Sequence, residues 1–245
     1  MTTATVQPDT TPLAGRTPQI GRVLVTGGSS GLGAAVVAAV AQAGGTPVVL
    51  DLNAATTAGG PAFSVDVSDR AAVERAVEDA TAQLGGLDAV VTAAGIDRCG
   101  RLEDIPADEW ERVIAVNLLG TVSVVRAALP HLVATHGRVV TVASTLALRA
   151  VGDATAYCAS KFGVLGFSRA LAAETSGRIG VTTLIPGGMD THFFDGRTEQ
   201  YRPADNSRLN DPARVAQAVL FALGQPQGCE VRELLVCHEA EGSWP

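Results

Sequence analysis

Two residues one helical turn apart, Tyr157 and Lys161, carry the clearest capacity for chemistry in this chain. A free tyrosine has a pKa of about 10, too high for an efficient base near neutrality. Residues four apart share a helix face, and an ammonium beside a phenol favours the phenolate. Such a pair could exchange a proton with an alcohol or a carbonyl oxygen. Of 18 basic residues Lys161 alone is lysine, and the rest are arginine. An arginine-rich composition leaves that exception unexplained, whereas a need for a compact, tunable charge explains it. Ser144 stands thirteen positions before Tyr157 (157 − 144), directly after the apolar run Arg138–Ala143. Its hydroxyl could donate to a substrate oxygen as charge develops there; a serine that merely satisfies a buried hydrogen bond would read the same.

A second cluster lies near the start. The run Arg22–Thr26 leads straight into Gly27-Gly28-Ser29-Ser30-Gly31-Leu32-Gly33, after which an alanine-rich helical stretch begins. Glycines there allow a tight turn and let backbone N–H groups approach a pyrophosphate at the helix start. A glycine-rich turn alone is weak evidence, but its place between strand and helix strengthens it. The next run ends at Asp51, eighteen positions beyond Gly33 (51 − 33), followed by Leu52. A carboxylate at that point accepts hydrogen bonds from both ribose hydroxyls of an adenosine and repels a 2′-phosphate. No arginine or lysine lies within Gly27–Gly33 or directly after Asp51. The reading is NAD rather than NADP, against the plainer one of a solvated turn aspartate.

The elements that would position these residues alternate. Apolar runs occur at Arg22–Thr26, Pro47–Asp51, Ala62–Asp66, Ala89–Ala93, Arg138–Ala143, Val181–Ile185 and Glu233–Cys237. Helical stretches lie between them at Leu32–Ala43, Asp69–Leu84, Ala107–Leu129, Ala154–Ser176 and Pro212–Leu223, with Ser68 and Asp211 as N-caps. This is the pattern of βαβ units. It predicts a single α/β, doubly wound (Rossmann-type) domain over 21–245, with a mostly seven-stranded parallel sheet and helices on both faces. Residues 187–210 are long, polar and without period, as a substrate lid is. Residues 1–20, rich in Thr and Pro, read as a loose extension without the apolar core of a signal peptide.

With the order of these motifs in view, the chain resembles the short-chain dehydrogenase/reductase family from Arg22 to its end. The resemblance rests on TGGSSGLG (26–33), Asp66-Val67, AAG (Ala93, Ala94, Gly95), Asn117 in AVNLLG, Ser144, YCASK (157–161) and PGGMDT (186–191). It implies hydride transfer between NAD(H) and a secondary alcohol or ketone, with Asn117, Ser144, Tyr157 and Lys161 as the catalytic set. In that set Asn117 would hold a water linking Lys161 to solvent. It further implies Asp66 and Val67 against the adenine, Ala93 to Gly95 along the ribose, and Pro186, Gly187, Met189 and Thr191 about the nicotinamide. One departure is Thr92-Ala93 where the family usually has two asparagines, which predicts weaker support for the central strand. Three other readings compete: an NADPH-dependent 3-oxoacyl reductase, which conflicts with Asp51; a sugar epimerase or dehydratase, for which the chain after Pro186 is short; and a nucleotide-binding regulator without activity.

Composition narrows the field. A net charge of −7, with no basic stretch, argues against nucleic acid. Four cysteines without a CxxC pair or a cluster with the four histidines argue against a metal site and suit a reducing cytoplasm. No apolar run reaches the length expected of a membrane span. The small-residue stretches Val113–Leu129 and Ala154–Ala173 are more apolar than lone surface helices require, which with the resemblance predicts a homodimer or homotetramer. His192 is read either as touching substrate or as a solvated loop residue, and Cys158 as packing. Phe193, Phe194, Leu146 and Tyr201 predict a pocket tolerant of apolar or aromatic substrates. Trp244 either docks on a subunit or frays with the terminus.

Overall fold

The computed structural model describes residues 20–54 and 59–242; residues 1–19 of the extension and Trp244 lie outside them. Seven parallel strands form one sheet in the order β3-β2-β1-β4-β5-β6-β7. They are β1 (Arg22–Thr26), β2 (Thr46–Asp51), β3 (Ala62–Ser64), β4 (Ala89–Thr92), β5 (Arg138–Val142), β6 (Gly180–Pro186) and β7 (Glu233–Val236). Helices α1 (Gly31–Gln42) and α6 (Pro212–Leu223) cover one face; α2 (Arg70–Leu84), α4 (Thr121–Thr135) and α5 (Thr155–Glu174) cover the other. Because both faces are covered, central strands are apolar at every position rather than at alternate ones. Val23, Leu24 and Val25 of β1 and Val90 and Val91 of β4 are all buried, feeding two cores on opposite sides. The doubly wound α/β fold expected from the sequence is therefore the fold observed.

Strand order reverses between β1 and β4, so their C-terminal ends open a crevice where ligands of such sheets bind. Thr26 and Thr92 stand opposite each other at that edge.

Several boundaries differ from expectation, each for a local reason. β3 stops at Ser64 because Asp66 turns the chain, its carboxylate accepting from the Ser68 N–H at 2.9 Å and the Ser68 hydroxyl at 2.7 Å. That engagement removes Ser68 from the capping role expected of it. Asp69 caps α2 instead, accepting from the Ala72 N–H at 3.1 Å. Asp211 does cap α6, as expected, accepting from the Ala213 N–H. The helix expected to end at Leu129 runs on to Thr135 with Pro130 inside it. A proline there forfeits one main-chain hydrogen bond, while Ala128 and Leu132, fully buried on either side, hold the turn against the core.

That helix also corrects the expectation about membrane-length runs. α3 (Ala107–Ile114), a wider π turn at Ala115–Gly120 and α4 form a continuous 29-residue helix, long and apolar enough by composition to span a bilayer. Part of its apolar surface faces the protein, with Val113, Val116, Val124, Val125, Ala128 and Leu132 buried, while Leu119 and Val133 stay exposed.

Candidate active site

β1 hands the chain to a turn at Gly27, whose φ of +66° is a left-handed conformation that side chains resist. A Cβ at Gly27 would come within 2.9 Å of the Ala94 backbone, and one at Gly33 would overlap the Gly27 carbonyl oxygen. Glycine at these two positions lets the first turn of α1 press against the strand ends. Ser30 precedes α1 without a side-chain capping bond, so N–H groups of the first turn have no partner from it. The Ser29 hydroxyl oxygen is buried and unpartnered. Unfilled donors at a helix start, a buried orphan hydroxyl and a crevice beyond them fit a bound pyrophosphate. Asp51, at the tip of β2, accepts from the Ser29 N–H at 3.0 Å and the Asn53 N–H at 2.9 Å, which sets its carboxylate beside this turn. Leu52 next to it is largely exposed.

A cavity of about 730 Å³ runs from this turn across the sheet edge. Of the residues expected to bind cofactor, Gly27, Ser30, Gly31, Leu32, Gly33, Ala93, Ala94, Gly95, Pro186, Gly187, Met189 and Thr191 line it, and so do Ser144, Tyr157 and Lys161. Ser29, Asp51, Leu52, Asp66, Val67 and Asn117 are not among the lining residues. Thr191 approaches the start of α1 from across the cavity, within 3.5 Å of the place a Cβ on Gly31 would take. Asp66 forms an ion pair with Arg112 at 2.7 Å; burial pushes its pKa up, but hydrogen bonds from Arg112 and Ser68 prevail and hold it below the usual carboxylate range.

α5 delivers the reactive pair. The helix is pinned to β5 through Thr141 and Ser168, whose hydroxyls lie 2.6 Å apart in the core. Lys161, 5% exposed, donates from Nζ to the Val142 carbonyl at 2.8 Å, and lies 5.6 Å from the centroid of the Tyr157 ring. Burial pulls the Lys161 pKa down from 10.5 to about 8, with nearby Asp97 pulling the other way. Gly95 lies alongside this ammonium, the place of a Cβ there being 3.7 Å from Nζ.

Tyr157 departs from expectation. Burial raises its pKa well above the ordinary value, outweighing a hydrogen bond with Ser144 that lowers it. Desolvation of the phenolate is the dominant influence, with Asp97 adding to it and Arg197 opposing it, which favours the protonated phenol. The Ser144 hydroxyl also accepts from the Leu146 N–H at 3.1 Å, which fixes the oxygen beside Tyr157.

Asn117 sits in the π turn, a helix irregularity frequent at functional sites. Its side-chain oxygen accepts from the Ile96 N–H at 2.8 Å; its amide donates to the Ile96 carbonyl at 2.8 Å and to the Ser160 hydroxyl at 3.0 Å. The side chain is therefore committed to tying the segment after β4 to α5. The Asn117 main-chain carbonyl accepts from the Thr121 hydroxyl at 2.8 Å. Thr92, where the sequence departs from the family pattern, leaves its buried hydroxyl without a partner.

Residues 187–210 close the far side. Both ends are pinned: Asn210 donates its N–H to the Gly188 carbonyl, and Asp190 its N–H to the Asn210 carbonyl, each at 2.9 Å. Phe193 stacks at a tilt on Tyr157 with ring centroids 5.7 Å apart. His192 is 87% exposed and pairs with Asp195 at 2.8 Å, the arrangement of a solvated loop residue. Cys158 is buried, as packing requires.

The residues that sequence reasoning passed over are Asp97, Cys99, Asp153, Arg197 and Glu241, all of which line the cavity. Position in sequence gave one usable signal, since Asp97 lies two residues past Gly95.

Comparison with known proteins agrees with this arrangement. The family model for short chain dehydrogenases matches residues 21–202. The chain is 39% identical over 176 residues to a D-threitol dehydrogenase of Mycolicibacterium smegmatis, covering 66% of this chain and 68% of that one. It is 36% identical over 230 residues to a probable oxidoreductase, EphD, of Mycobacterium tuberculosis, covering 82% of this chain but 39% of that longer protein. Among solved structures, an alcohol dehydrogenase of Thermococcus sibiricus complexed with 5-hydroxy-NADP superposes with a TM-score of 0.80 at 24% identity, over 91% of this chain and 98% of that one, a likeness of fold. This chain belongs to the short chain dehydrogenase family.

Proposed function

We propose that the protein oxidises a secondary alcohol, or reduces the corresponding ketone, using NAD(H). The observation that carries this reading is the meeting of Tyr157, Ser144 and Lys161 on the wall of the same cavity that begins at the glycine-rich turn. When bound, the nicotinamide supplies or accepts the hydride. In reduction, Tyr157 Oη donates its proton to the carbonyl oxygen as the carbon gains hydride; in oxidation, the phenolate takes the hydroxyl proton as the carbon loses hydride. A phenol held protonated by burial is ready for the first direction. For the second, the positive charge of Lys161, joined by that of an oxidised nicotinamide, must outweigh the desolvation. Ser144 donates to the reacting oxygen and stabilises its developing charge. Asn117 acts by position, holding Ile96 against Ser160 of the helix that bears Tyr157.

The choice of NAD rests on Asp51 beside the turn, with no basic side chain among Gly27–Gly33 to receive a 2′-phosphate. The relative named as a threitol dehydrogenase supports an alcohol as substrate. Four cysteines, all free, suit a reducing cytoplasm. Leu119 in the π turn and Phe162 on α5, both exposed, support association of copies as a dimer or tetramer. Initial rates with NAD and NADP on secondary alcohols, followed by reduced-nicotinamide absorbance, test the reading. A preference for NADP would overturn the cofactor assignment, and silence on every alcohol and ketone would overturn the reaction.

A further inference from the structure

The substrate end of the cavity contains a buried ion pair that the reaction does not need. Asp97, with a side chain 6% exposed, binds Arg197 at 2.6 Å across a separation of 100 residues. Arg197 is held on several sides: its second amino group donates to the Tyr201 carbonyl at 3.3 Å, and its guanidinium lies over Phe193 at 5.0 Å and Phe194 at 4.6 Å. Beside it the Tyr201 hydroxyl donates to Asp153 at 3.1 Å. The cation is thus stacked on two rings and paired with a carboxylate, so its charge is answered within the protein before any ligand arrives.

Asp97 has capacity left. One carboxylate oxygen accepts from the Arg98 N–H at 2.7 Å; the other accepts from Arg197 at 2.6 Å and from the Cys99 thiol at 3.2 Å. A carboxylate offers about four acceptor positions, so these three donors leave one for a ligand in the cavity that Asp97 lines. Charge points the same way. Among the described residues, Asp97, Asp153, Asp195 and Glu241 line the cavity against only Lys161 and Arg197, an excess of acidic over basic side chains.

We propose that Asp97, held in place by Arg197, is the specificity-determining residue of this pocket. It accepts a second hydroxyl of the substrate, so that the site selects a small neutral diol or polyol over a lone secondary alcohol and rejects a carboxylate. The proposal rests on reading the site as that of an alcohol dehydrogenase. A polar site left unpaired by an analogue lacking the hydroxyl discriminates strongly against it.

The test compares kcat/KM for butane-2,3-diol, 2-butanol and 2-hydroxybutanoate with the wild-type enzyme and NAD. The diol should exceed each of the others at least about tenfold. In Asp97→Asn, which keeps the shape and loses the charge, the diol-to-butanol ratio should fall roughly 10- to 100-fold, the range of one charged hydrogen bond. Arg197→Lys keeps a cationic partner for Asp97 but loses the stacking and the planar fork, and should lower that ratio by less than Asp97→Asn does. A wild-type ratio near one overturns the proposal, even if Asp97→Asn fails to fold. So does an equal loss on diol and butanol in Asp97→Asn, which would make Asp97 a latch for residues 187–210. Turnover of 2-butanol without diol preference sinks this inference alone; no turnover of any alcohol sinks the parent reading with it.

Discussion

Replacing Lys161 by methionine should make the unliganded protein more stable near neutrality while removing its activity. Lys161 is 5% exposed, and burial lowers its pKa from 10.5 to about 8. A difference of that size corresponds to roughly 3 kcal/mol between the protonation states. The sign follows from linkage. Below pH 8 the lysine is protonated in folded and unfolded chains alike, and the folded state bears the whole cost of burying the charge. Between pH 8 and 10.5 the unfolded chain binds more protons, so stability rises with pH and the cost is relieved. Methionine fills similar space without the charge, but forfeits the bond to the Val142 carbonyl, a loss of about 1 kcal/mol. The net gain for Lys161→Met is then about 2 kcal/mol at pH 7, vanishing or reversing by pH 10.5. Urea unfolding of both proteins at several pH values, without nucleotide, measures it. The difference between the two curves isolates this group, since other titrations are common to both. A variant less stable than wild type at pH 7, or a difference that does not change with pH, would refute the reasoning.

Tyr157→Phe removes the transferable proton alone, so kcat should fall at least about a thousandfold with nucleotide affinity nearly unchanged; appreciable turnover would remove the tyrosine from its assigned role. Asp51→Ala deletes the acceptor beside the Ser29 N–H and should raise the NAD dissociation constant about tenfold or more while narrowing the preference over NADP, as titration with each nucleotide would report. Thr92→Val replaces a buried, unpartnered hydroxyl by a methyl of the same shape and should stabilise the protein by roughly 1 kcal/mol. A lowered urea midpoint for Thr92→Val would mean that the hydroxyl has a partner when the protein is in solution.

The backbone-made half of the site was legible in the sequence because backbone geometry leaves few residue choices. A left-handed turn at Gly27 and the close approach of Gly33 to its carbonyl admit no side chain, so glycine must appear there in any chain folded this way. The same holds for the parallel sheet, since strands covered on both faces have to be apolar throughout. Capping was less legible. Ser68 and Asp69 are adjacent and both able to cap, and only the Asp66 turn, a tertiary consequence of Arg112 reaching across, decides between them. Helix ends were legible only to within a turn, because Pro130 costs one hydrogen bond and the core beneath it outweighs that loss.

What the sequence left dark is the part of the pocket that faces substrate. Asp97 and Arg197 are 100 positions apart, each in a segment without period, and nothing local marks either as the partner of the other. Their pairing depends on residues 187–210 folding back over the sheet edge, pinned at Gly188 and Asn210. The groups proposed to carry the reaction stand on or beside rigid elements, Tyr157 and Lys161 on α5 and Ser144 just past β5, whose spacing is fixed by helix and strand geometry. The selectivity proposed for Asp97 rests on loops, where neither period nor spacing constrains sequence. A family can therefore keep one chemistry recognisable while its substrate pockets diverge, and here the loop-made portion is where a carboxylate has been buried in the wall of the cavity that holds the reactive pair.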